Sequence, residues 1–161
     1  MRLDTGREAA WMRAAIREAR RNIAGGDGGP FGACIVRGGE LLAVARNTVL
    51  ARDATCHAEV SAIRIASRRL GTHDLAGCSI YATTEPCPMC FGAIHWAGID
   101  TVVSGTRIAD VARLGFRELT ISNRRMKSLG GSRVTLVPGF LRAECLALLA
   151  DWAAAPSRRV Y

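Results

Sequence analysis

Two short stretches hold side chains that could do chemistry together: His57-Ala58-Glu59, and Pro86-Cys87-Pro88-Met89-Cys90. One imidazole and two thiolates make three zinc ligands. Three ligands leave one coordination position open, which distinguishes a catalytic zinc from a closed structural one. Glu59 is not needed to hold the metal. A carboxyl two residues from a metal ligand is placed to move protons beside a water that the metal activates. The chemistry expected is hydrolysis near neutral pH, with Glu59 as the proton carrier.

Each part has a rival reading. A bare Cys-x-x-Cys also suits a redox pair or half of a structural zinc site. No second Cys-x-x-Cys is present to complete a four-thiolate set. His73 sits in a Gly-Thr-His-Asp turn and is expected in solvent. His95, five residues past Cys90, is expected to pack or to face a partner. Of the six cysteines, Cys34, Cys78 and Cys145 lie in apolar contexts and read as small buried hydrophobes. The N-terminal stretch mixes Asp and Glu with Arg and has no apolar core of the signal-peptide kind. Reduced thiols in a cytoplasm fit better than disulfides. No apolar run reaches the roughly 18–20 residues of a membrane span.

The elements that must position these groups are legible from periodicity. The 161 residues, 49% of them hydrophobic, suit one domain over 1–161. An amphipathic helix is expected to run to Gly25-Gly26, with Ala10, Met12, Ala14, Ala15, Ile16 and Ala19 available to a core. Strands follow at Phe31 to Val36 and Leu41 to Arg46, joined at Gly38-Gly39. A helix opens at His57 and stops at Gly71. Ser79 to Thr83 is a strand, Cys87 opens a helix running to Gly98, and Thr101 to Ser104 is a strand. Thr106 to Ser132 reads as irregular. Arg133 to Val137 is a last strand and Leu141 to Trp152 a last helix. This order implies a three-layer α/β/α sandwich on a five-stranded mixed sheet. His57 and Cys87 both open helices, so two positive helix N-termini face one site and favour thiolates there. The net charge of +8 could serve a polyanion such as RNA. The arginines are spread along the chain without a dense block, which favours a solvated surface.

The stretches HAEVSAIR and YATTEPCPMCFGAIHWAGID resemble the cytidine deaminase superfamily, whose nucleobase-acting members carry His-x-Glu with Pro-Cys-x-x-Cys. Within it the chain is most similar to bacterial guanine deaminases and related nucleobase deaminases. Gly29-Pro30-Phe31-Gly32-Ala33, Asn47, Cys87-Pro88-Met89-Cys90, Trp96, Gly115-Phe116 with Glu118, and the final Tyr161 carry that likeness. The resemblance implies one Zn2+ per chain on His57, Cys87 and Cys90, with Glu59 passing a proton from water to a ring nitrogen. It places Glu118 near the departing amine; an exposed loop carboxylate is the competing reading. Asn47 and the Ala58 N–H would hold the base, Phe31 and Trp96 would sandwich it, and Tyr161 would close over it. Asn47 as a turn former, and the aromatics as core, are the rivals.

Guanine to xanthine is the leading reaction, with amino-triazines such as ammeline and aminopyrimidines also open. From Ser132 to Trp152 the chain looks more like the end of tRNA adenosine deaminases, so adenosine to inosine in tRNA is the alternative. Phe31, Pro88 and Phe91 depart from the residues usual in those enzymes. A non-catalytic zinc domain binding RNA or protein is the third reading, and an intact Glu59 argues against it. Apolar residues around most of the Cys87 helix call for more than one packing partner, so a homodimer is expected.

Overall fold

The computed structural model describes residues 5–161. The first helix, α1 (Thr5–Gly25), is rich in Ala, Arg, Glu and Met, all good helix formers. Met12, Ala15, Ile16 and Ala19 fall at helical spacing and are buried; Ala10 is exposed. A hairpin follows, β1 (Gly32–Arg37) and β2 (Glu40–Arg46), paired antiparallel. Its turn residues Gly38 and Gly39 have φ of 56° and 87°, the positive values that a tight hairpin turn needs and that glycine adopts freely.

The chain continues through α2 (Ala58–Leu70), β3 (Cys78–Thr84), α3 (Pro88–Trp96) and β4 (Thr101–Thr106). The stretch expected to be irregular contains two short helices, α4 (Ile108–Ala112) and α5 (Asn123–Gly130). Helix α5 has a Ser122 cap whose Oγ accepts from the Arg125 N–H at 3.3 Å. Met126 is its one apolar contact with the main core, so periodicity could not reveal it. Strand β5 (Thr135–Pro138) and α6 (Arg142–Ala154) close the fold.

The five strands lie in the order β2-β1-β3-β4-β5. β1 pairs antiparallel with β3, while β3–β4 and β4–β5 are parallel. Alternation along each strand divides the core in two. Ala33, Ile35, Ile80, Ala82 and Val102 face α2 and α3. Cys34, Val36, Tyr81 and Val103 face α1 and α6. The expected three-layer sandwich on a mixed five-stranded sheet is the architecture found. The buried face of α2 is Ala58, Ala62 and Ala66 beside Glu59. These small side chains allow the helix to lie close to the sheet, where it delivers Glu59 to the interior.

Candidate active site

His57 and Cys87 each occupy the residue just before a helix. His57 caps α2 with φ −67° and ψ 156°, and Cys87 caps α3 with φ −64° and ψ 167°. The extended backbone at both positions turns ring and thiol toward one another. Pro88, with its fixed φ and no N–H to satisfy, starts α3 directly after Cys87. Cys90 follows within the first turn and is fully buried.

His57 Nδ1 and Cys87 Sγ are 3.6 Å apart, and the ligand atoms of His57, Cys87 and Cys90 all lie within 4.8 Å of one another. Zinc–sulfur and zinc–nitrogen bonds of about 2.3 and 2.0 Å, opened to a tetrahedral angle, put S and N about 3.5 Å apart. The donor set and its spacing therefore fit zinc. Hydrogen bonding with the Cys90 thiol holds the Cys87 thiol far down, at about 4, with His57 adding to the effect against burial. The same bond, with burial, pushes Cys90 well up.

Glu59 sits in the first turn of α2 and is 7% exposed. Its Oε2 accepts from the Cys90 thiol at 3.5 Å, and burial pushes its carboxyl up to about 7. A pocket of about 400 Å³ opens beside these groups, with His57, Cys87, Pro88 and Met89 on one side and Phe116, Glu118 and Tyr161 on another. Val49 and Ala54, from the loop before His57, and Arg117 and Leu119, flanking Glu118, complete the wall. Glu118 is half-buried there. Burial and the neighbouring Cys87 raise its carboxyl.

Tyr161 is firmly seated. Its ring stands edge-on to Phe116 at 5.3 Å, its hydroxyl accepts from the Gly29 N–H at 3.2 Å, and its carbonyl accepts from the Arg117 N–H at 3.2 Å. Asn47 is fully buried, with Oδ1 taking the Val49 N–H at 3.1 Å and Nδ2 making no close hydrogen bond. Its amide lies close enough to the Tyr161 hydroxyl to offset part of the burial that raises the tyrosine. Ala58 opens α2, so its N–H belongs to the first turn, where no helical acceptor exists.

Neither aromatic expected to sandwich the base lines the pocket of this chain. Trp96 ends α3, nine residues past Cys87, or about 13 Å along the helix. It is 85% exposed and edge-on to His95, outside the pocket of this chain. Phe31 packs edge-on against Phe116 at 5.1 Å and supports that ring from behind. Phe116 takes the place expected for Phe31 on the pocket wall. Its signal was present in Gly115-Phe116, but only its side-chain packing shows which aromatic faces inward. His73 is exposed, as expected, and His95 Nδ1 lies 3.1 Å from Ser132 Oγ.

Another missed pair supports the metal loop. Asn123 Nδ2 donates to the Pro86 carbonyl at 2.6 Å, immediately before Cys87. Glu85 accepts from the Asn123 N–H at 2.9 Å and from the Ile108 N–H at 3.3 Å. The starts of α4 and α5 are thereby tied to the metal-bearing turn.

Residues 6–106 match the family described as the cytidine and deoxycytidylate deaminase zinc-binding region. The guanine deaminase of Bacillus subtilis is 43% identical over 107 residues, 66% of this chain and 69% of that protein. The tRNA-specific adenosine deaminase of Bacillus subtilis is 34% identical over 140 residues, 86% of this chain and 84% of that one. A solved structure of the guanine deaminase from Nitrosomonas europaea superposes with a TM-score of 0.82 at 34% identity, covering 96% of this chain and 86% of that one.

Proposed function

Because the chain belongs to the cytidine and deoxycytidylate deaminase family and is a zinc-dependent deaminase, we propose that its substrate is a free amino-purine, guanine first, converted to xanthine and ammonia. The observation that carries this reading is Tyr161. Its ring and hydroxyl are fixed against Phe116 and Gly29 on the pocket wall, narrowing a cavity that also holds His57, Cys87 and Glu118. A wall of that kind suits a base without its ribose. The likeness to two guanine deaminases points the same way.

His57, Cys87 and Cys90 would hold the zinc, and zinc there supplies the Lewis acidity that makes water nucleophilic near neutral pH. Glu59 accepts a proton from that water and passes it to the ring nitrogen beside the amino-bearing carbon. The carbon becomes tetrahedral as the C–O bond forms. Glu118, across the pocket, shares in protonating the exocyclic amine. The C–N bond breaks, ammonia leaves and a carbonyl remains. Asn47 Nδ2 and the Ala58 N–H are donors for acceptor atoms on the base.

Ammonia release across guanine, guanosine, adenine, cytosine, ammeline, isocytosine and a tRNA anticodon stem tests the reading. Guanine is expected to lead. Release from the tRNA stem alone overturns it in favour of adenosine to inosine, the alternative that the Bacillus subtilis tRNA deaminase supports. RNA as substrate would also make turnover steeply salt-dependent.

We propose further that residues 1–161 form one deaminase domain, that the chain acts as a homodimer, and that it works in the cytoplasm. The exposed Trp96 on α3 supports the dimer; a clean monomer mass by light scattering refutes it. Free thiols at all six cysteines are in keeping with a reducing compartment. Among the described residues no helix is long and apolar enough to cross a membrane.

A further inference from the structure

The donor that Asn47 offers to a base is held in place from an unexpected direction, the last turn of α1. Asn22 is a polar residue only 2% exposed. Its Nδ2 donates twice, to the Gly29 carbonyl at 2.8 Å and to the Asn47 carbonyl at 2.7 Å. Its Oδ1 accepts from Arg46 Nε at 3.0 Å. The Arg46 guanidinium is gripped in turn by Glu18 Oε1 at 2.8 Å and Asp27 Oδ2 at 2.7 Å. A single amide plane, anchored by a salt-bridged arginine, thus fixes two backbone carbonyls from separate loops.

Both carbonyls belong to residues that bond pocket-lining ones, Asn47 to Val49 and Gly29 to Tyr161. Asn47 turns its Oδ1 to the Val49 N–H. That bond sets the orientation of the amide and turns Nδ2, a fully buried donor, toward the Tyr161 hydroxyl. Gly29 donates its N–H to the Tyr161 hydroxyl. Between them the fit is tight: a Cβ on Gly28 would stand 2.1 Å from Asn47 Oδ1, so only glycine allows this approach. Backbone bonds join the two segments at the open end of the β1–β2 hairpin, Asn47 N–H to the Phe31 carbonyl at 3.0 Å and Leu50 N–H to the Asp27 carbonyl at 2.9 Å, and Asn22 is the side chain that bridges the Gly29 and Asn47 carbonyls themselves.

We propose that Asn22 is a positioning residue for substrate recognition: it sets the placement of the Asn47 amide and of the Gly29–Tyr161 contact, and touches no substrate itself. This rests on the reading that Asn47 holds the base. Loss of the clamp weakens ground-state binding without removing any group that moves a proton, so it acts on KM and leaves kcat in place.

Asn22→Asp tests this. It keeps the size and the acceptor for Arg46 and removes both donors. The expected result is a KM about ten- to hundredfold higher, the scale of losing buried hydrogen bonds, with kcat within about threefold. On an Asn47→Ala background the same change should raise KM less than about twofold, because the group it positions is gone. Without any substrate, hydrogen exchange at the Val49 and Gly29 amides should speed up in Asn22→Asp while the core amides keep their protection. An unchanged KM, an effect that adds fully to Asn47→Ala, or unchanged exchange at both amides overturns the proposal. If the unmodified protein deaminates no base, the function proposed above fails, and the exchange measurement still decides the clamp. If Asn22→Asp does not fold, Arg46→Gln takes its place, and the same two readouts should move in the same direction.

Discussion

Replacing Tyr161 in two steps separates its hydroxyl from its ring. Tyr161→Phe keeps the edge-on contact with Phe116 at 5.3 Å and loses the bond from the Gly29 N–H at 3.2 Å. A neutral hydrogen bond is worth about 1 kcal/mol net, so kcat/KM for guanine should fall about fivefold. Tyr161→Ala removes the ring as well. The edge-to-face pair alone is worth about 0.5–1.5 kcal/mol beyond its buried area, and Phe116, now 6% exposed, would be bared. The two losses together come to roughly 1.5–2.5 kcal/mol, or about 12- to 60-fold in kcat/KM. Loss of the ring also opens the wall, so turnover of guanosine relative to guanine should rise at least about tenfold. Steady-state ammonia release with each substrate measures both effects. An alanine variant that keeps full guanine activity, or loses it with no change in the guanosine ratio, refutes the argument that this ring shapes the pocket.

Glu59→Gln keeps the side-chain volume and removes the proton carrier; ammonia release should fall by at least about 10²–10⁴-fold with zinc content unchanged by metal analysis. Cys90→Ser should lose most of the bound zinc in the same assay, because a hydroxyl does not ionise to replace the buried thiolate. Asn123→Ala leaves the Pro86 carbonyl, bonded at 2.6 Å in the intact protein, without its donor. A cost of about 1–3 kcal/mol should lower the melting temperature by roughly 2–12 °C. Asp110 accepts from both Arg142 and the Arg107 N–H, and the Arg142 bond chiefly holds its carboxyl below the ordinary 3.8. A depressed folded-state value means stabilisation that is complete above the unfolded value and lost as pH falls through the folded one. Asp110→Asn should therefore lower the melting temperature at pH 7 and make little difference near pH 2.

The metal triad was legible because its information is local. Each half lies within a few residues, and a helix start places each half without reference to the rest of the chain. The Gly38-Gly39 turn and the stripe Met12, Ala15, Ile16 and Ala19 were legible for the same reason. Helix α5 was not, since polar and basic residues dominate it and its inner face is a buried asparagine, Asn123, with Met126 as its one apolar contact with the main core. The outward placement of Trp96 was not legible because a motif match specifies a position and not a direction, and a helix nine residues long carries its last side chain away from its first. Asn22 and Asn123 stayed hidden on different grounds. Each is an ordinary asparagine in sequence, and each gains its role from a partner 25 or 37 residues away.

The mixed sheet has a consequence for how the protein assembles. His57 and Glu59 come after the antiparallel hairpin β1–β2, a unit whose pairing is local. Cys87 and Cys90 come from the crossover that joins the parallel strands β3 and β4. Thirty residues separate His57 from Cys87, and β3 must dock on β1 before they meet. Neither half offers a complete donor set. Capture of the metal is thus a late event that requires both halves to be folded and in register. Once captured, zinc is a cross-link between a fast-forming local unit and a slower non-local one, and its release rate should report on the opening of the seam between β1 and β3.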